Sequence, residues 1–323
     1  MRVLVIGGTE FFGKQLVESL LARGDQVTIF SRGHHRPPFW NRIIHIRGDR
    51  TNHRAFVAAL RQHTFDAVID NIAYEQEDVE AAVAALQGRI GHYILTSSGA
   101  VYPDFEPPVA FRPIAEEAAD LTLHGDMAYA EGKRACEQVL HTRQAFPFTI
   151  LRPPIVQGPE DPSRRGWFWM QRIADGGPVI VPQRYPAPVW RQVYSGDVVQ
   201  AFLRAAGNPV AFGKTYNVAM DEIISLEDFV RLVASILDRP DPVVSTPRSD
   251  LAREAPWYNP TFARQFILDT TRIKSELGFT ATALQQWVEE TVRWHVDHLV
   301  ESSKGYERRA DEIMLAKRVR VDG

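Results

Sequence analysis

The chain has a single cysteine, Cys136, so it cannot close an internal disulfide. No grouping of cysteine and histidine has the spacing of a metal site, and no metal ligands are expected. The reducing cytoplasm is the compartment that fits this cysteine usage. Long hydrophobic runs are also missing. Met1-Arg2 leads directly into residues 3–6, and Gly7-Gly8 stops that run before a secretory leader or membrane span could form. Neither sign of charge dominates, since 37 basic against 40 acidic residues give a formal net charge of −3. That balance implies no general attraction to nucleic acid or to an anionic membrane. What remains is a chain of 323 residues, 45% of them hydrophobic, expected to be soluble and cytoplasmic. It is long enough to bury a sizeable core in one large or two modest domains.

The first half alternates between two periods. Short apolar runs, continuous at 3–6 and mostly apolar at 27–30, 43–46, 67–69, 93–95 and 148–151, read as strands. Helical spacing at 14–23, 55–62, 78–86 and 127–143 separates them. Strands of this kind alternating with helices predict a parallel sheet covered on both faces, an α/β doubly wound fold of the Rossmann type. After Arg152-Pro153-Pro154 the texture changes. Prolines and tryptophans crowd 159–190, Gly176-Gly177 reads as a turn, and helical patterns at 226–237 and 283–299 follow a strand-like 215–219. The expected division is a Rossmann domain from 1–158 plus about 193–220, and a smaller, mainly helical substrate region from about 159–192 plus 221–323. Residues 301–323 mix both charge signs and read equally as a peripheral helix or a disordered tail.

The segment Gly7-Gly8-Thr9-Glu10-Phe11-Phe12-Gly13 joins the first strand to the first helix. Glycine allows the tight turn, and the helix amino terminus offers unpaired N–H groups and a positive dipole end to a pyrophosphate. A carboxylate at Glu10 would repel that group if it pointed inward, so it is expected to face solvent. In dinucleotide folds an acid after the second strand binds the adenosine ribose and repels a 2′-phosphate. Here Ser31-Arg32-Gly33 stand at that point, and a hydroxyl with a guanidinium suits a 2′-phosphate. NADP(H) is therefore expected over NAD(H), with an exposed arginine at a strand end as the plainer alternative. His34-His35 has no metal partners and reads as a solvated loop.

Tyr129 and Lys133 are four residues apart and share one helix face. A free tyrosine has a pKa near ~10 and is a poor base at neutral pH, but a neighbouring cation favours its phenolate. Such a tyrosine exchanges a proton with a substrate hydroxyl while hydride moves to or from a nicotinamide. With nine tyrosines in the chain, the spacing alone proves little. Its placement carries more, because it opens the helix between the serine-rich strand end Thr96-Ser97-Ser98 and the strand ending in Arg152-Pro153-Pro154. Cys136, on the same helix, reads as a packing residue with no histidine placed to activate it.

These motifs together resemble the extended and atypical short-chain dehydrogenases/reductases, the NAD(P)-dependent epimerase/dehydratase relatives. Gly7-x-x-Glu10-x-x-Gly13 resembles their glycine fingerprint with Glu10 in place of the middle glycine. The form Gly-Gly-Thr-x-Phe-x-Gly resembles an atypical branch that includes chloroplast stem-loop RNA-binding relatives. Ser98-Gly99-Ala100-Val101-Tyr102 resembles the segment that ends in Val-Tyr, and the resemblance makes Ser98 the hydroxyl that binds the substrate oxygen beside the catalytic Tyr129 and Lys133. It also implies that Asp49 touches the adenine and that Asn71, Ile72 and Ala73 lie along the pyrophosphate and ribose. Gly7, Thr9, Glu10, Phe11, Phe12, Gly13 and Pro154 join them, with Ser31 and Arg32, as cofactor-binding positions. Arg152-Pro153-Pro154-Ile155-Val156-Gln157-Gly158-Pro159 puts Ile155 where relatives carry a substrate-binding asparagine. Arg191, in Arg191-Gln192-Val193-Tyr194-Ser195-Gly196-Asp197-Val198, stands where an arginine binds a substrate diphosphate, and Tyr216-Asn217-Val218 matches a third signature.

The resemblance thus runs from residue 1 to about 220. It implies a reductase or epimerase acting on a small hydroxyl or carbonyl substrate, and a homodimer that pairs through the helix bearing Tyr129. Gly99 and Ala100 supply no acid beside Ser98, which speaks against a dehydratase. A non-catalytic NADP-binding regulator or RNA-binding relative is the other class, and the acidic balance speaks against RNA. Trp167, Phe168, Trp169, Trp190 and Trp257 could stack on a substrate or simply fill a core.

Overall fold

Residues 3–6 are fully buried because they form the middle of a sheet covered on both faces. The computed structural model describes residues 1–103, 112–123, 125, 128–183, 189–258, 267–298 and 301–322. Its main sheet has seven strands: β1 (Arg2–Ile6), β2 (Gln26–Ser31), β3 (Ile44–Arg47), β4 (Ala67–Asp70), β5 (Tyr93–Thr96), β6 (Phe148–Arg152) and β7 (Lys214–Asn217). Their order is β7-β6-β5-β4-β1-β2-β3, and every neighbouring pair is parallel. This is the doubly wound arrangement that the alternating pattern predicts, with the order reversing between β1 and β4.

Successive side chains of a strand point to opposite faces. Val3 and Val5 pack with Leu16, Val17 and Leu20 of α1 (Phe11–Ala22). Leu4 and Ile6 turn the other way, toward α2 (His53–Leu60), α3 (Gln76–Leu86) and α4 (Ala128–Arg143), through Phe56, Leu60, Val79, Leu86 and Val139. The helix expected from Met127 begins at Ala128, and Met127 lies outside the described residues. Cys136 is buried in that second face, a packing residue as read from sequence.

Beyond β6 the chain crosses between two cores. Trp167, Trp169, Met170 and Ile173 of α5 (Arg165–Ala174) build a separate apolar cluster. The chain then returns to the face of α1 with α6 (Ser195–Ala205), through Val198, Val199 and Phe202. α7 (Leu226–Ile236) and α8 (Arg248–Glu254) pack with residues 179–183 and 243–247, two short parallel strands. α9 (Thr271–Leu277) goes back to the sheet through Ile273 and Leu277, and α10 (Leu284–Asp297) joins the tryptophan cluster through Trp287. Trp190 also lies in that cluster, so three of the five aromatic candidates for substrate stacking (Trp167, Trp169 and Trp190) are core residues.

The mixed-charge tail is a docked helix, α11 (Arg309–Asp322). Arg172 of α5 donates to Glu312 at 2.6 Å and 2.8 Å, and Arg309 donates to Asp175 at 2.7 Å and 2.8 Å. Arg172 and Glu312 are both buried, so each charge requires the other. Two of the tail's charges, Arg309 and Glu312, thus face inward to partners that a sequence pattern does not reveal. Among the described residues no helix is long and apolar enough to cross a membrane, and no group of three acidic, histidine or cysteine side chains is placed to hold a metal ion.

Candidate active site

Because all seven strands are parallel, their carboxyl ends lie along one edge. The turn after β1, the segment Asn71-Ile72-Ala73 after β4, Ser98 after β5 and Pro154-Ile155 after β6 therefore share that edge. The reversal between β1 and β4 opens a crevice there, the place where doubly wound folds bind ligands.

Gly7 has φ +83°, a conformation that a side chain would strain, and its carbonyl oxygen accepts a hydrogen bond from Asn71 Nδ2 at 3.1 Å. That bond ties the β1 turn to the β4 turn across the crevice. Gly13 is buried against the same carbonyl with no room for a Cβ. Glu10 is the N-cap of α1 but makes no side-chain capping bond, and no acid stands in the first helical turn. The amino-terminal N–H groups of α1 are thus left without a side-chain cap, open to an incoming phosphate. Phe12 stacks on Phe202 in the core, with ring centroids 6.3 Å apart, so its contribution to the turn is packing. Thr9 and Phe11 are half-buried beside the turn.

At the β2 and β3 ends the expected contacts are partly engaged within the protein. Ser31 Oγ lies 3.1 Å from His45 Nε2, whereas Arg32 is exposed. Asp49 accepts from the N–H and hydroxyl of Thr51 at 3.0 Å and 2.8 Å, and these bonds hold its carboxyl below the usual range. Glu10 is exposed as expected, but its carboxylate turns to His35, with Oε1 2.8 Å from Nε2. The solvated loop read at His34-His35 therefore has an acidic partner.

Tyr129 and Lys133 lie on the first turns of α4. Tyr129 is 48% exposed at the edge, while Lys133 is 1% exposed beneath it. The Lys133 ammonium donates to the carbonyl oxygens of Ala73 at 2.7 Å and Thr96 at 2.8 Å. It also lies 4.6 Å from the ring centroid of Tyr74 and 5.8 Å from that of Tyr129. Burial pulls its pKa below the ordinary lysine value. Two backbone acceptors account for two of its three protons and leave one for a hydroxyl at the edge.

The ends of β5 and α4 are joined on either side of Ser98. Thr96 O accepts from Lys133, and Val101 O accepts from Arg134 Nε at 3.1 Å. Ser98 Oγ itself accepts from the Ala100 N–H at 3.1 Å, leaving its own proton for another acceptor. Behind it, Ser97 donates to Glu137, and Arg152 donates to Glu137 at 2.9 Å and 2.5 Å in a buried bidentate pair. Pro154 and Ile155 are half-buried at the end of β6. Arg191 donates through Nη1 to Leu268 O at 2.8 Å, so its guanidinium is partly held by backbone.

Tyr74 was not among the residues read from sequence. It follows Ala73 directly, is 48% exposed, and its ring lies 6.3 Å from that of Tyr129. Its carbonyl sits on Gly132, where a Cβ would overlap it. An aromatic residue at the end of the β4 turn and a glycine between Tyr129 and Lys133 are the signals, but neither has meaning until the turn is known to cross α4.

The profile of the NAD-dependent epimerase/dehydratase family matches residues 3–219. The chloroplast stem-loop binding protein of 41 kDa b from Arabidopsis thaliana is 26% identical over 260 residues, 75% of this chain and 65% of that protein's length. A dTDP-4-dehydro-6-deoxy-D-allose reductase from Streptomyces bikiniensis is 27% identical over 331 residues, 92% of this chain and 96% of its own. Among solved structures, the UDP-glucose 4-epimerase of Thermotoga maritima with UDP-glucose superposes with a TM-score of 0.75 at 19% identity, covering 93% of this chain and all of that one. At that identity the likeness concerns the fold, which is the same seven-stranded arrangement. The chain belongs to the NAD-dependent epimerase/dehydratase family of enzymes.

Proposed function

We propose that the protein is an NADP(H)-dependent reductase or epimerase that exchanges hydride with a hydroxyl or carbonyl substrate through Ser98, Tyr129 and Lys133. The observation that carries this reading is the Lys133 ammonium, buried at the carboxyl edge against two backbone carbonyls and one helical turn from an exposed Tyr129. A lysine buried without a carboxylate directly on it is costly for stability, and such groups cluster at functional sites. The uncapped amino terminus of α1 fits the pyrophosphate of a dinucleotide, and Asn71 holds the Gly7 turn beside it. The nicotinamide, when bound, supplies the hydride chemistry.

The protein's own groups then have separate tasks. The Tyr129 hydroxyl gives a proton to a substrate carbonyl oxygen, or takes one from a hydroxyl, with the Lys133 ammonium 5.8 Å from its ring centroid. The Ser98 hydroxyl donates a hydrogen bond to the same substrate oxygen. Arg32, exposed past β2, is assigned to a 2′-phosphate, and Arg191 and Ile155 to the substrate side. Residues 159–192 with 221–323 are assigned to substrate recognition and 1–158 with 193–220 to the cofactor. A carbonyl of a sugar-like compound is the substrate class that the named reductase and epimerase relatives favour. The net charge of −3 supports a small-molecule ligand over nucleic acid.

Fluorescence titration of the protein with NADPH and NADH tests the cofactor assignment. Arg32→Ala is expected to weaken NADPH binding about tenfold, the loss of one charge-assisted phosphate contact, and to leave NADH nearly unchanged. Equal weakening of both cofactors would contradict the role given to Arg32.

A further inference from the structure

Glu10 and His35 stand on the wall of a cavity of about 420 Å³ beside the β1 turn. Its other walls include Thr9, Phe11, Lys14 of α1 and Glu160. Two side-chain pairs bound it. Glu10 Oε1 lies 2.8 Å from His35 Nε2, and Lys14 Nζ lies 2.7 Å from Glu160 Oε1. Each joins the turn or first helix to a different segment of chain. Phe11 and Glu160 both have left-handed backbone, φ +47° and φ +61°, although neither is glycine. Strain of this kind persists where surrounding structure enforces it, and it gathers at functional sites.

The charges are arranged unevenly. Of the basic segment after β2, His34, His35 and Arg36 line this cavity, and Arg32 precedes them in the chain. Lys14 is already matched by Glu160, and Arg36 lies 5.8 Å from the ring centroid of Trp40. Glu10 is a carboxylate that meets this segment from the opposite wall. Its side chain is 53% exposed and that of His35 65% exposed, so the pair is solvated and adds little to stability. A pair of that kind opens readily when another anion arrives.

We infer that Glu10 is a specificity-determining residue, a tethered anion that competes with a phosphate monoester on the adenosine ribose for the basic segment at His35. It therefore reduces the preference for a 2′-phosphorylated cofactor that Arg32 and His35 would otherwise give. The identity of the ligand rests on the dinucleotide reading above; the competition itself rests on the cavity and the pair.

Calorimetric titration of the full chain with 2′,5′-ADP and with 5′-AMP tests this. Removing one carboxylate charge near a solvated phosphate should make Glu10→Gln bind 2′,5′-ADP about fourfold tighter, with 5′-AMP unchanged and the gain fading in about 0.5 M salt. His35→Ala should bind 2′,5′-ADP more weakly, and adding Glu10→Gln to it should restore less than the full gain. Equal 2′,5′-ADP affinities for wild type and Glu10→Gln, equal gains for both nucleotides, or no 2′,5′-ADP binding by either protein would overturn the inference. A wild type that shows the expected Gln effect on 2′,5′-ADP yet does not bind NADPH would sink the dinucleotide reading and leave the anion competition standing.

Discussion

The Lys133 ammonium donates to the carbonyl oxygen of Ala73 at 2.7 Å, joining the helix that bears Tyr129 to the turn after β4. A second bond, to Thr96 O at 2.8 Å, joins it to the end of β5. One side chain thus fixes three segments at the edge of the sheet, and it does so with a charge taken out of water.

Lys133→Met should separate stability from function. A lysine whose folded-state pKa is lowered opposes folding wherever it is protonated, and that penalty disappears as pH rises through the folded value toward the unfolded one. Replacing it with methionine removes the penalty but leaves two carbonyls without their donor. Urea unfolding at neutral pH is expected to show Lys133→Met within about 1 kcal/mol of wild type or above it, while activity falls at least about a hundredfold. A loss of several kcal/mol would make Lys133 a structural residue first.

Gly132→Ala should destabilise, against helix propensity. Alanine is better than glycine inside a helix by about 1 kcal/mol, yet a Cβ at 132 would overlap the Tyr74 carbonyl. The clash is expected to win by about 1–3 kcal/mol, as overpacking does in close-packed sites, and to move Tyr74 away from Tyr129. Thermal melts that show a stabilised variant would mean that the β4 turn does not rest on α4 as described.

His92 sets an acid limit on stability. It is fully buried between Thr149 and Gly207, where its Nδ1 accepts from the Gly207 N–H at 3.2 Å and its Nε2 lies 2.9 Å from Thr149 Oγ1. An accepting Nδ1 requires the neutral ring, and burial lowers the pKa from 6.5 to about 4. The unfolded chain therefore binds this proton first, so stability falls as pH drops below about 6.5 and the loss is complete near 4, about 3 kcal/mol in all. His92→Asn should flatten that part of a urea-stability curve measured against pH; an unchanged slope would remove His92 as its source.

The sheet was legible because its central strands are buried on both faces and so read as plain apolar runs, as at residues 3–6 and 67–69. The placement of Gly7, Asn71, Ser98, Tyr129 and Lys133 was also legible, since each follows a strand or opens a helix and parallel strands bring those points to one edge. What the sequence concealed were contacts between distant segments. Nothing near Glu10 in the chain announces His35, and nothing near Tyr74 announces Gly132. The docked tail was hidden for the same reason, because Arg309 and Glu312 look like ordinary surface charges until Asp175 and Arg172 are placed beside them. α9 was missed because its seven residues offer only two core positions, Ile273 and Leu277, too few to stand out as a period.

The most direct test of the central claim is turnover by Tyr129→Phe, followed by NADPH absorbance on a carbonyl substrate that the wild type reduces, with NADPH binding measured on the same samples. The change removes one exposed hydroxyl and keeps the ring beside Tyr74 and Lys133. Unchanged NADPH binding with turnover lowered at least about a hundredfold is the predicted result. Turnover equal to wild type with cofactor still bound would contradict it.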